Sequence, residues 1–162
     1  MIGRVFFFVA LIFFTSCQTT KDLPKFDFQF FIEQKSNGGD FIWASTATMP
    51  VSHLNIPICS QPILLAGDIE SVRIAQSNFG KCLIFQLTQR AAIEFYKLSV
   101  EGLNRKIVFV FNGKSVGLSM PIRDTKPDGT FAIFPEMEDH ELDQLVKDIS
   151  DTIVKLRKLK EN

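Results

Sequence analysis

The stretch Lys106-Ile-Val-Phe-Val-Phe-Asn-Gly-Lys-Ser-Val-Gly-Leu-Ser-Met-Pro-Ile122 decides the fold of this chain. Two runs rich in β-branched and aromatic residues flank Asn112-Gly113. Asn-Gly is the dipeptide that two-residue hairpin turns prefer, because both turn positions need a positive φ. The stretch therefore predicts an antiparallel hairpin with strands at 106–111 and 114–122.

Strand patterns also lie on both sides of this hairpin. Alternating phenylalanines from Phe26 predict a strand with one face in a core, and the other runs are bounded by turn residues such as Pro127-Asp128-Gly129. The segment from Thr46 to Pro62 contains three prolines and no clear period, so we expect loop or edge structure there. The predicted additional strands are 26–31, 41–44, 63–65, 71–76, 81–87 and 130–134.

Two segments predict helices. Thr88 is placed to cap a helix with Ala92, Phe95, Ser99 and Leu103 on one side. The last segment is the clearer helix, because acidic residues precede an apolar stripe and basic residues follow it, which favours the helix dipole. That stripe comprises Leu142, Leu145, Val146, Ile149, Ile153 and Leu156. The predicted fold class is α+β, a mixed or antiparallel sheet with two helices packed on it.

Residues 1–16 are typical of a secretory signal peptide. Arg4 supplies the positive charge, and residues 5–14 form an apolar run too short to span a bilayer permanently. With the small residues before it, Cys17 resembles the lipobox of bacterial lipoproteins, although Phe14 stands where that pattern usually has Leu. A leader cut elsewhere and a retained anchor are the alternatives.

The lipobox resemblance implies that a covalent lipid, palmitate among its acyl chains, is the only bound group. It would sit on Cys17, with residues 17–25 as a tether, and would place the chain in the bacterial cell envelope. Gln18 favours the outer membrane in a cell with two membranes. Without Arg4, 17 of the 18 basic residues remain against 18 acidic ones. This overall balance favours neither nucleic acid nor an anionic membrane surface as a partner.

Two cysteines remain, Cys59 and Cys82, in a compartment where a disulfide persists. Cys82 lies in an apolar run, and free cysteine is among the most buried residue types. We expect two small buried thiols, and a Cys59–Cys82 disulfide is the alternative.

The order strand, strand, helix, hairpin, strand, helix resembles the head of the first periplasmic domain of SecD, or SecDF, a membrane subunit that assists protein export. The matching segments are Pro62-Ile-Leu-Leu-Ala-Gly-Asp-Ile69, Phe85 to Phe95, Lys106 to Pro121 and Gly129 to Ile133. The resemblance implies a SecD-head-like α+β domain at 62–162, preceded by N-terminal strands and a loop at 26–61. Nothing resembles the transmembrane helices of SecD, so the lipid would replace them as the anchor.

What the SecD resemblance implies for function is a non-enzymatic binding module for exported polypeptides. The alternative is a structural or interaction lipoprotein of the envelope that meets a folded protein partner. The resemblance carries no catalytic residues across.

The reactive side chains of the sequence predict neither a catalytic nor a metal site. His53 and His140 lack companions at ligand spacing, and we read His140 with Glu136 as a solvated helix start. Asp124 and Asp128 lack the remaining ligands of a calcium loop, so a turn is expected. Four serines also lack the nucleophile-elbow pattern: Ser45, Ser52, Ser60 and Ser119.

Two further features could serve a partner. Phenylalanines 26–31 with Trp43 offer either an exposed apolar groove or a buried core, and we expect the core. The basic segment from Lys155 to Lys160 could touch anionic lipid, but a favourable helix C-terminus is the expected explanation.

Overall fold

The computed structural model of the 162-residue chain describes residues 24–34, 44–100, 104–120 and 128–161. The predicted signal peptide, Cys17, most of the tether, Trp43, Leu103 and Asp124 lie outside these ranges. Nine strands and two helices lie within them. They are β1 (Phe28–Ile32), β2 (Ala44–Thr48), β3 (Asn55–Cys59), β4 (Leu64–Leu65), β5 (Ile69–Ser77), β6 (Gly80–Leu87), α1 (Gln89–Val100), β7 (Ile107–Phe111), β8 (Lys114–Leu118), β9 (Thr130–Pro135) and α2 (Asp139–Glu161).

The predicted central hairpin is confirmed as β7 and β8. Phe111 pairs with Lys114, and the turn residues Asn112 and Gly113 have φ angles of 48° and 75°. The hairpin sits in the middle of a seven-stranded sheet of order β4-β1-β7-β8-β9-β6-β5, in which every pairing is antiparallel. The α+β fold class is therefore confirmed, with an antiparallel sheet.

The main core lies between this sheet and both helices. Its centre is Phe30, which is 0% exposed and whose ring packs against those of four other phenylalanines, at positions 28, 85, 109 and 131. Phe95 of α1 and Ile149 of α2 belong to the same cluster, so both helices cover one face of the sheet. Phe28 and Phe30 therefore lie in a core, as expected, whereas Phe31 on the other face of the sheet is half-buried.

The segment 46–62, for which we expected extended loop or edge structure, forms extended strands that pair as a hairpin of β2 and β3. Its apolar residues Ala47, Met49, Ile56 and Ile58 are buried against Val108, on the sheet face opposite the helices. Because β7 alternates Ile107 and Phe109 toward the main core with Val108 toward this second core, part of the sheet is buried on both faces.

Candidate functional site

Strand β2 has an open edge. Within the described ranges its one ladder partner is β3, and Thr46 lies opposite Pro57. The Pro57 carbonyl accepts a 2.8 Å bond from the Gln34 N–H, so its polar group points away from β2. Residues that lie opposite each other in an antiparallel pair alternate between exchanging backbone bonds and pointing their N–H and C=O groups outward. Thr46 is of the outward kind because it lies opposite Pro57, and Thr48, two residues along, is of the same kind. The N–H and C=O groups of both threonines therefore point away from β3. No backbone group of the described residues bonds to them there.

A cleft of about 310 Å³ runs beside this edge, between the hairpin and the main sheet. Apolar side chains from both sheets line it, together with polar groups near the β7–β8 turn. Its apolar lining residues on the hairpin side of the sheet are Phe31, Ala47, Ile58 and Val110. A strand lying along β2 would therefore place alternate side chains toward this cleft.

The carboxylate of Glu136, which follows β9, accepts hydrogen bonds from the turn after β2. Glu136 accepts bonds from the Val51 N–H at 3.0 Å, the Ser52 N–H at 2.9 Å and the Ser52 hydroxyl at 2.7 Å. Burial alone would raise the pKa of Glu136. The bonds from Ser52 and Val51 and the nearby His53 outweigh burial and hold the pKa below its ordinary value.

A second cleft, of about 590 Å³, opens where this turn meets the start of α2. Pro50, Val51 and Met137 give it apolar walls, and Glu138 and Glu141 add carboxylates. Val51 itself is 68% exposed, while its backbone N–H is held by Glu136.

We call residues 44–54, which comprise β2 and the following turn, the hairpin surface. It combines unpaired backbone donors and acceptors with exposed apolar side chains such as Val51 and Leu54, and the carboxylates of Glu138 and Glu141 adjoin one end of it. These groups suit the binding of an extended chain.

Several residues considered for catalysis have structural contacts. Ser52 donates to Glu136, and the Ser119 hydroxyl accepts a 2.7 Å bond from the Ile107 N–H while only 8% exposed. His140 lies 3.2 Å from Glu138 at an exposed site. Ser45 and Ser60 are exposed. Across the part of the chain that the structure describes, no group of three His, Cys, Asp or Glu residues is arranged to hold a metal ion.

The turn expected at Asp128-Gly129 is confirmed. The Asp128 carboxylate accepts a 3.0 Å bond from the Thr130 N–H, and Gly129 has a φ of 70°. A Cβ added at Gly129 would lie 2.5 Å from the Cβ of Ala92, so this turn packs directly on α1. The Asp128 oxygens thus order a strand start.

The two described cysteines are free thiols on different sheets. Cys59 is half-buried on β3, whereas Cys82 is buried on β6 and its thiol donates a 3.6 Å bond to the Ala75 carbonyl. Burial raises the pKa of Cys82, and the charge of Arg73 offsets part of that rise. Burial of Cys82 agrees with the expectation of small apolar thiols, and the disulfide stays a prediction.

Comparison with known proteins supports one fold. A crystal structure of SecDF in its super-membrane-facing form matches 80% of this chain with a TM-score of 0.55 and 16% identity. A structure of SecDF described as a membrane component that enhances protein export matches 80% with a TM-score of 0.54 and 15% identity. The fold is SecD-like. No protein-family model and no curated protein matches the chain.

The SecD-like fold confirms the resemblance to the SecD periplasmic domain that the segment order predicts. The chain spans 18% and 62% of the two matched chains, so it corresponds to part of SecDF. Within the described residues, neither helix combines the length and apolar character that a membrane crossing requires.

The hairpin surface is the part of the site that the sequence patterns missed. Ala47 and Met49 alternate with threonines, and Ile56 and Ile58 flank Pro57, so two short strand patterns were present. The prolines argued against a strand prediction, because a proline has no N–H to donate to a strand ladder. Nothing in the sequence indicated that Glu136 meets a turn 84 residues away.

Proposed function

We propose that this chain is a lipid-anchored protein of the bacterial envelope, with an accessory role in protein export. Its SecD-like domain binds extended polypeptides and catalyses no reaction. The lipobox-like pattern ending at Cys17 supports the anchor and the location. The similarity to SecDF, one structure of which is described as enhancing protein export, supports the process.

The open edge of β2 carries the proposal. A polypeptide that added to this edge as a third strand would bond to the outward N–H and C=O groups of Thr46 and Thr48. Such bonds involve only backbone atoms and so accept many sequences, as a protein that handles different exported chains requires. Alternate side chains of the bound strand would enter the apolar cleft of about 310 Å³.

The end of the hairpin surface favours certain side chains in the bound polypeptide. Val51 and Leu54 are 68% and 46% exposed and offer contacts to apolar side chains. Glu138 and Glu141 line the adjoining cleft and favour basic over acidic residues. The preferred ligand is therefore an extended apolar segment with a basic flank.

The test uses residues 17–162 with Cys17→Ser and measures the fluorescence anisotropy of labelled apolar peptides. Thr46→Pro removes an N–H that faces outward, so the fold tolerates it while strand addition fails. We expect affinity to fall about tenfold, from the loss of one or two backbone bonds. Thr46→Val keeps the N–H and should bind as the unmodified domain does.

Absence of peptide binding at high concentration, or equal affinity for Thr46→Pro, would refute strand addition. Crosslinking in intact cells distinguishes this function from the alternative role as a structural or interaction lipoprotein. A protein with the alternative role would capture one dominant folded protein rather than many polypeptides. Turnover of ester, peptide or glycoside substrates by the same preparation would contradict the non-enzymatic assignment.

A further inference from the structure

The formal charge of the chain sums to zero, but charge is separated along α2. The helix has 23 residues and is therefore about 35 Å long. Its first turn contains Asp139 and Glu141, and its last seven residues contain four cations and one anion. Those cations are Lys155, Arg157, Lys158 and Lys160, all of them exposed.

The basic end of α2 lies where the chain enters the fold. Leu65 pairs with Gln29 in an antiparallel register, so the turn that follows Leu65 lies beside the residues that precede β1. Lys160 donates a 2.9 Å bond to the Gly67 carbonyl of that turn, and Arg157 donates a 3.2 Å bond to the carbonyl of Glu70. The helix end is thereby fixed next to the first residues of β1.

Other charged groups also lie at this end. Lys25 is exposed and lies 5.0 Å from the ring centre of Phe26. Asp27 accepts from the Gln29 amide and Asp68 accepts from the Leu65 N–H, and both keep their negative charge because these donors are neutral. Together with Glu70 and Glu161 they set four carboxylates against five cations, so this end keeps a small positive charge.

We propose that this basic end docks on the anionic headgroups of the membrane that holds the lipid. The proposal rests on lipidation of Cys17. Seven residue steps separate Cys17 from Pro24 and reach at most about 25 Å, which is shorter than α2. The tether therefore keeps the basic end within reach of the membrane and lets the acidic end lie farther away.

A cleft of about 510 Å³ gives a headgroup a place at this end. Gly67, Gln89, Arg157 and Lys160 contribute polar lining, and Leu156 contributes an apolar wall. Arg157 and Lys160 hold that end of α2 on the turn at residues 67–70, so the charge variants leave these two cations in place.

The experiment uses the lipidated mature chain in vesicles that carry a headgroup-labelled acceptor lipid. Donor dyes are attached to Glu161→Cys or Phe79→Cys in a Cys59→Ser background. Phe79 is 76% exposed, and its turn lies at the acidic end, because Lys81 pairs with Asp139 at 2.8 Å. We expect phosphatidylglycerol to raise transfer from position 161 relative to position 79, and we expect this rise to be absent in pure phosphatidylcholine and at high salt, where only the tether holds the basic end near the membrane.

Charge variants identify the surface. Lys155→Gln with Lys158→Gln should lower the docking equilibrium constant about 25-fold, taking about fivefold for each cation near an anionic surface. Lys97→Gln with Lys147→Gln changes the net charge equally and should leave docking unchanged.

An unchanged ratio of transfer from the two dyes when phosphatidylglycerol is added, as expected if the basic end faced a partner protein, would overturn the proposal and leave the anchor intact. The mass of the purified chain reports the lipid on Cys17 independently, and its absence would overturn both.

Discussion

Removing the carboxylate of Glu136 should release the turn of the hairpin surface. The carboxylate accepts three bonds from Val51 and Ser52, across 84 or 85 residues of chain. A hydrogen bond to a charged group contributes about 1.5–3 kcal/mol when buried, and solvent reduces this at a half-buried site. We expect Glu136→Ala to lower the free energy of unfolding by about 2 kcal/mol, and Glu136→Gln by about half of that, because one amide oxygen still accepts.

The effect should depend on pH in a defined direction. The pKa of Glu136 in the folded chain lies below its ordinary value, so the unfolded chain binds the proton more readily. The stabilisation is complete above the ordinary glutamate pKa of about 4.3, and it is lost as the pH falls through the lower folded pKa. The difference between the original chain and Glu136→Ala should therefore shrink in acid.

Urea unfolding at neutral and acidic pH measures both effects, and hydrogen exchange at the amides of Val51 and Ser52 reports the turn directly. Glu138→Ala is the matched control, because that side chain is 79% exposed at the same end of the fold and should change stability by less than about 0.5 kcal/mol. Equal stability of the Glu136→Ala and Glu138→Ala variants, with unchanged exchange at both amides, would refute the reasoning.

Three further predictions concern the core and its thiol. Phe30→Ala should cost about 4 kcal/mol in urea unfolding, because the ring is fully buried, whereas the exposed Phe79→Ala should cost less than about 0.5 kcal/mol. Gly129→Ala should cost about 2 kcal/mol or more, from its positive φ and the 2.5 Å approach to Ala92, and Ala92→Gly should recover part of that loss. The thiol of Cys82 should react with a disulfide reagent much more slowly in the native chain than in urea, because burial blocks access and raises its pKa; equal rates would contradict its burial.

The sequence was most informative where local chemistry determines structure. Asn112-Gly113 specifies a turn through its own backbone preferences, and the apolar stripe of α2 repeats over many turns, so both elements were predicted, although the second hairpin strand ends at Leu118 rather than at residue 122. The alternating phenylalanines of β1 indicated a buried face for the same reason. The order of these elements, together with four segments that resemble SecD, predicted the SecD-like fold.

The binding surface was harder to predict because it depends on contacts between distant residues. Pro57 is tolerated in β3 because its place in the ladder needs no N–H toward β2, and that fact follows from the pairing with Thr46 rather than from the sequence. The same pairing decides which groups of β2 face outward. The bonds between Glu136 and Ser52 likewise exist only once β9 and the hairpin lie together.

An open strand edge does not distinguish a foreign polypeptide from another copy of its own chain. The outward groups of Thr46 and Thr48 would pair equally well with the same strand of a neighbouring molecule, and side chains of β2 that are small and polar do little to prevent this. Copies held in one membrane plane would meet far more often than copies free in solution. Pairing between copies would then compete with ligand binding. The amount of polypeptide bound per unit area of membrane would therefore stop rising as the number of copies per unit area increased.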